Sequence, residues 1–174
     1  PPLYVGTTYY VADQNTAPGD LAYGGRSTNS GSGEYHGGGQ SLKFDAQAAF
    51  TLKSVMVYAG DAGIRTVELV DAIGVMRATR SAFVPSGSSR ITLDFDVQPG
   101  NNYLLNVAGF TDLWRSTSSI SYPYALGTVG SITGSSAGSG SYPYFYDWEV
   151  ETGGGYCESV HTPVAVTVEV CTGI

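Results

Sequence analysis

The sequence predicts an all-β protein: an antiparallel two-sheet β-sandwich of the jelly-roll kind, with no significant helix. Three observations predict it. No stretch of ten or more residues keeps apolar positions at i, i+3, i+4 and i+7 without an interrupting Gly, Pro or β-branched cluster. Alternation with a period of two recurs along the chain, in about ten short strands divided by turn residues. Long connections separate several of these strands, which suits two packed antiparallel sheets joined as a jelly roll.

The elements follow in order. "LYVGTTYYVAD" opens the chain as a strong strand, and "QNTAPG" follows as a loop between Asp13 and Asp20. "GGRSTNSGSGEYHGGGQ", Gly24 to Gln40, is low in complexity and reads as a long exposed loop. "FTLKSVMVYA" is apolar on both faces and reads as a central strand. "IRTVELVD" and "VMRATRSAFV" flank "AIG" as a hairpin. "RITLDFDV" turns Ile91, Leu93, Phe95 and Val97 to one face and Thr92, Asp94 and Asp96 to the other. With "PGNN" and "YLLNV" it reads as a second hairpin. "GSITGSSAGSGS", Gly130 to Ser141, is another Gly/Ser loop, with a Tyr-Pro-Tyr at each edge, Tyr122–Tyr124 and Tyr142–Tyr144.

"SYPYFYDWEV", Ser141 to Val150, sets Tyr142, Tyr144, Tyr146, Trp148 and Val150 on one face of a strand. Ser141, Pro143, Phe145, Asp147 and Glu149 take the other face. Tyr146, Trp148 and Phe145 are expected in the core. Tyr142 and Tyr144 either close it beneath the glycine-rich loop or emerge at the sheet's end, where Pro143 favours an edge. "TGGG" at Thr152–Gly155 is a hinge, and "CESVHTPVAVTVEV" is the closing strand.

Composition narrows the function classes. A net charge of −7 repels a phosphate backbone, so nucleic acid is not an expected partner. No apolar run approaches the ~20 residues of a membrane span, so no membrane insertion is expected. Hydrophobic residues at 42% can build a core, and the low charged fraction of 13% suits a secreted or cell-surface β domain. No signal peptide is visible, and the start at Pro1-Pro2 reads as a piece of a longer chain with neighbouring domains. Cys157 and Cys171 flank an extended segment which, at about 3.3 Å per residue, holds their sulfurs apart; an internal disulfide is not expected, and a partner elsewhere stays open.

Two resemblances arise from these residues. "TTYYV" with "CESVHTPVAVTVEV" resembles the last hairpin of the immunoglobulin-like repeats of large type IX-secreted bacterial proteins. The usual Arg is His161 here, and about 140 residues separate the two halves. "SLKFDAQAAFTLKSVMVYAG", "RTVELVD" and "SYPYFYDWEV" look like a β-sandwich accessory module of secreted polymer-degrading and surface proteins, and "YDWEV" is similar to the last strand of calcium-bearing carbohydrate-binding jelly rolls. The resemblance implies a jelly-roll module over 14–155, inserted in an Ig-like hairpin whose strands, 1–13 and 156–174, pair with each other.

Catalytic chemistry has little to build on. No H-E-x-x-H occurs; "GSSAG" at Gly134–Gly138 lacks a strand-to-helix elbow; Cys157 and His161 sit at a repeat boundary; Asp94 and Asp96 lie side by side on a solvated strand face. The chain is not expected to be an enzyme. Sugars offer C–H faces that stack on rings and hydroxyls that meet Arg, Asp and Asn. The candidates for a polysaccharide or surface glycan are Trp114 and Arg115, as stack and clamp, with Tyr122, Tyr124, Tyr142 and Tyr144. A structural Ca2+ is the candidate cofactor: Asp147 matches the acidic position of the resembling strand, and Asp13 and Asp20 flank a loop that could supply carbonyls. The expectation is a non-catalytic carbohydrate-binding module; the alternative is an adhesion or spacer module without a glycan site.

Overall fold

The computed structural model describes residues 14–16, 19–109, 111–153 and 156–158. The chain divides into two units, Pro1–Gly19 with Gly154–Ile174, and Asp20–Gly153. In the first, β1 (Gln14–Thr16) pairs antiparallel with β15 (Tyr156–Glu158), Gln14 opposite Glu158 and Thr16 opposite Tyr156. β1 falls in the segment expected as a loop at the start of the inserted module; the expected strand 1–13, and 159–174 of its expected partner, with Asp13, His161 and Cys171, lie outside the described residues.

The second unit is all-β and antiparallel, with no helix among the described residues. Its strands are β2 (Asp20–Gly24), β3 (Gly33–His36), β4 (Ser41–Ala46), β5 (Phe50–Ala59), β6 (Gly63–Val70), β7 (Met76–Val84) and β8 (Gly87–Val97). They continue with β9 (Gly100–Ala108), β10 (Leu113–Ser116), β11 (Tyr124–Leu126), β12 (Gly130–Ser135), β13 (Tyr142–Pro143) and β14 (Tyr146–Thr152). One thirteen-stranded sheet joins them in the order β13-β10-β5-β14-β2-β11-β12-β4-β9-β6-β7, with β3 on β10 and β8 on β5.

The sheet is strongly curled. β14 and β4 are four strands apart, about 19 Å along a flat sheet. Yet the rings of Phe44 on β4 and Trp148 on β14, both fully buried, meet edge to face at 5.3 Å between centroids. Arg80 on β7 also reaches the Leu93 carbonyl on β8, 3.3 Å away, although β7 ends the strand order and β8 hangs from its far side. The ends approach without closing, and a single apolar core joins Leu42, Phe44, Val67, Leu69, Leu105 and Val107 with Leu52, Val55, Val57, Ile91, Leu93, Phe95, Val97 and Trp148. Burying each such side chain contributes about 1.5–3 kcal/mol.

Alternation predicted β8 correctly: Ile91, Leu93, Phe95 and Val97 are buried, and Thr92, Asp94 and Asp96 are exposed. The "IRTVELVD" hairpin forms as β6 and β7. The second expected hairpin does not. β8 pairs with β5, whereas β9 pairs with β4 and β6, so "PGNN" carries the chain between two distant parts of the curled sheet. β5 is central as expected, with β8 on one side and β14 and β10 on the other. Its two-sided apolar pattern has a local cause. Burial switches phase at Ser54 and Val55, where the register with β8 slips between Leu52 and Ser54. The extra residue falls on β8 beside Asp94, whose φ is +51°.

Both glycine-rich tracts contain strands, against the expectation of exposed loops. Gly24–Gln40 includes β3, and Gly130–Ser141 includes β12, hydrogen-bonded on both sides by β4 and β11. Two glycines explain why small residues stand there. A Cβ at Gly24 would lie 2.3 Å from the Ala125 carbonyl oxygen, and one at Gly130 would lie 2.2 Å from that of Asp45. The low-complexity composition marks close backbone approach here. The rest of the first tract is held by Arg26. Its guanidinium donates to the carbonyls of Thr28 (3.1 Å) and Ser30 (2.5 Å) in its own loop, and of Ser118 (3.1 Å) and Ser119 (2.7 Å) in the loop after β10.

Candidate functional site

The aromatic row of "SYPYFYDWEV" is interior. Tyr142, Tyr144, Phe145, Tyr146 and Trp148 are all fully buried, including residues of both supposed faces. Alternation fails because the stretch is two strands with a kink between them. Tyr144 has a φ of +65° and Asp147 one of +43°, so β13 leaves toward β10 before β14 joins β5 and β2. The expected burial of Tyr146, Trp148 and Phe145 holds. For Tyr142 and Tyr144, which the sequence placed either in the core or at the sheet's end, the structure shows full burial.

Each buried phenol is satisfied locally. The Tyr142 hydroxyl accepts the Arg26 N–H at 3.0 Å, and that of Tyr146 accepts the Ser116 N–H at 3.1 Å. Tyr144 donates to the Gly38 carbonyl and lies 3.1 Å from His36 Nδ1, which also accepts the Gly38 N–H. Burial pushes these phenols upward: Tyr146 to about 12, Tyr142 well above the ordinary value, and Tyr144 in the same direction.

Tyr122 and Tyr124 are partly buried over the same cluster, 6.0 and 5.1 Å from the Tyr142 ring. Tyr122 donates to the Ser141 carbonyl at 2.8 Å, and its phenol too is raised by burial. Trp114 is half-buried, edge to face with the exposed Tyr35 ring at 5.2 Å. Arg115, the next residue, pairs with Glu34. Successive strand residues point to opposite faces, so Trp114 and Arg115 do not form the stack-and-clamp pair their adjacency suggested.

Among the expected metal ligands, Asp147 pairs with Arg90, Asp20 is exposed at the start of β2, and Asp13 lies outside the described residues. Among the described residues no group of three or more His, Cys, Asp or Glu converges as a metal site. Ser136, the centre of "GSSAG", accepts the Ser41 N–H at 2.9 Å, which assigns it to holding the end of β12. A shallow hollow of about 250 Å³ lies between the turn after β6 and β9. Its one carboxylate, Asp71, is taken by Arg77 and by the N–H groups of Ile73 and Val75.

A different surface gathers an exposed ring and polar groups on one side. It spans β2, β14, β5 and β8. Leu21 and Tyr23, two apart on β2, are 56% and 58% exposed. Opposite them on β14 stand Glu151 and Glu149. Tyr23 donates to Glu149 at 3.2 Å, and the other Glu149 oxygen accepts the Ser54 hydroxyl of β5 at 2.5 Å. Arg90 of β8 lies 5.9 Å from the Tyr23 ring centroid, donates to Ser54 at 2.9 Å and pairs with Asp147. At the adjacent residue of β5, Lys53 bridges Asp94 (2.6 Å) and Glu151 (3.5 Å). The Glu149 carboxylate holds the Tyr23 phenol above its ordinary range.

Sequence reasoning passed over this face. The signal was there in part: the outward phase of "RITLDFDV" begins at Arg90, and that of "YDWEV" is Asp147 and Glu149. Tyr23 was hidden because β2 spans only five residues, next to a tract read as loop. No protein-family model, curated protein or solved structure matches the chain.

Proposed function

We propose that the unit Asp20–Gly153 is a non-catalytic carbohydrate-binding module of a secreted or cell-surface multi-domain protein. In this reading the curled sheet is a jelly roll of two layers, β8-β5-β14-β2 facing β7-β6-β9-β4-β12. The glycan lies across the outer side of the first layer. One observation carries the reading: Tyr23 keeps its ring in solvent beside Arg90, Glu149 and Ser54, on four adjacent strands. A ring with two rotatable bonds gives stacking area at low entropic loss, and the partly exposed Arg90 and Glu149, braced by the buried Ser54, can meet sugar hydroxyls. An open face of this kind binds weakly per module, with avidity from neighbouring copies.

The test is retention on immobilised polysaccharides in affinity electrophoresis. The wild type is retarded by at least one polymer, and Tyr23→Ala abolishes the retardation with an unchanged melting temperature. The second reading is a spacer or adhesion module without a glycan site. It is favoured by the burial of Tyr142 and Tyr144 and by the internal pairing of Arg90 and Lys53. Retardation by no polymer, for wild type and variant alike, would establish it over the first.

A further inference from the structure

We infer that the glycan accepted by the β2-β14-β5-β8 face is amine-bearing or uncharged, and that carboxylated polymers are turned away. This rests on the reading of that face as a glycan contact, and the inference concerns which charge the sugar carries.

The face holds five carboxylates, Asp94, Asp96, Asp147, Glu149 and Glu151, against two cations, Lys53 and Arg90. Their contacts place them on one side of the sheet. Lys53 touches Asp94 and Glu151, Arg90 touches Asp147 and Glu149, and Thr51 donates to Asp96 at 3.1 Å. Each cation thus already serves two carboxylates. A uronate arriving here would compete with protein carboxylates for Lys53 or Arg90 and would meet the surplus negative charge. An ammonium would meet the same surplus as attraction. Adjacent strands are ~5 Å apart, within the ~8 Å screening length at physiological salt, so Glu149 on β14 acts on a sugar seated over Tyr23, while Asp94 and Asp96 on β8 act on the part of the polymer that extends across the face. The net charge of the chain, −7, has the same sign and does not offset the local excess.

The bland account is that the network only fastens four strands together. It predicts no dependence on ligand charge. Calorimetric titrations with chitosan oligosaccharides (amine-bearing), cello-oligosaccharides (neutral) and oligogalacturonate (carboxylated) separate the two. The expected ranking is chitosan over cello-oligosaccharide over oligogalacturonate, with only the chitosan affinity falling as salt is raised. Asp96→Asn should lower the ratio of chitosan to cello-oligosaccharide affinity about two- to fourfold, the scale of one exposed charge pair. Asp94→Asn is the companion variant, since Asn tolerates the positive φ at that bulge. Oligogalacturonate binding as tightly as chitosan would overturn the inference and leave the glycan reading standing. Binding of none of the three would overturn the inference together with that reading.

Discussion

Tyr142 and Tyr23 are both strand tyrosines with hydrogen-bonded hydroxyls, yet the first is fully buried and the second is 58% exposed. The difference lies in what crosses over them. Above Tyr142 run two connections, the loop fixed by Arg26 and the segment carrying Tyr122 and Tyr124. Among the described residues no segment passes over Tyr23; its neighbours are Glu149 beside it and Arg90 across two strands. A tyrosine-rich end therefore became interior because loops of small residues could fold onto it. The plainer β2 strand kept its ring in water. Ring density in a sequence is thus a poor guide to ring exposure where Gly/Ser tracts can act as covers.

Alkaline titration strains this contrast most. Folding raises the phenols of Tyr122, Tyr142, Tyr144 and Tyr146 above their unfolded value of 10.0 because burial disfavours the phenolate. Below pH 10 both folded and unfolded chains hold these protons, and stability is unaffected. As pH climbs past 10 the unfolded chain releases them first, so the folded state loses stability up to its own higher values. Tyr146, pushed to about 12, accounts for on the order of 3 kcal/mol of that loss, and the other three add to it. Phenolate absorbance should rise in two stages, exposed tyrosines first and the cluster only with unfolding. A single smooth rise near pH 10 with the fold intact would contradict the buried cluster.

Trp148→Ala comes next in size. The indole is fully buried against Phe44 and donates from Nε1 to the Phe145 carbonyl at 2.9 Å. Its removal should cost about 3–5 kcal/mol, lowering Tm by roughly 10 °C or more. A shift under a few degrees would mean that the curl of the sheet does not depend on this contact between β4 and β14.

Arg26→Ala removes the fastening of the cover and should cost about 2 kcal/mol, the scale of charge-assisted hydrogen bonds to carbonyls at a partly exposed site. Arg26→Lys should recover only part of this, since one ammonium has three donors for four carbonyls in two loops. If a structural Ca2+ held these loops instead, EDTA would lower the wild-type Tm and Arg26→Ala would leave it nearly unchanged.

Much of the fold was legible because alternation is a local property. β8 exposes and buries the residues its pattern assigned, and β6 and β7 close on the turn that "AIG" marked. What failed depended on distance along the chain. "PGNN" is a turn in either topology, and only the pairing of β8 with β5 and β9 with β4 shows that it crosses between sheet regions. Asp94, Tyr144 and Asp147 take left-handed backbone positions that shift face or direction, which no period-two count anticipates. Of the aromatic candidates, Trp114, Tyr122 and Tyr124 keep part of their surface, whereas Tyr142 and Tyr144 lie under segments whose strand content their composition concealed.

Tyr23→Ala is the smallest change in stability and the sharpest in function. The ring is mostly in solvent, so its removal forfeits little burial, and one exposed hydrogen bond to Glu149 is worth a fraction of a kcal/mol. The expected stability change is within about 0.5 kcal/mol. Tyr142→Ala is the mirror case, with a loss of about 3 kcal/mol or more from an unfilled cavity. If the exposed face is the contact, glycan retention disappears in Tyr23→Ala at full stability, while Tyr142→Ala, measured well below its lowered Tm, still binds. The opposite pattern would return the binding role to the ring cluster. Loss in both with equal destabilisation would mean that the face and the cluster behave as one structural element.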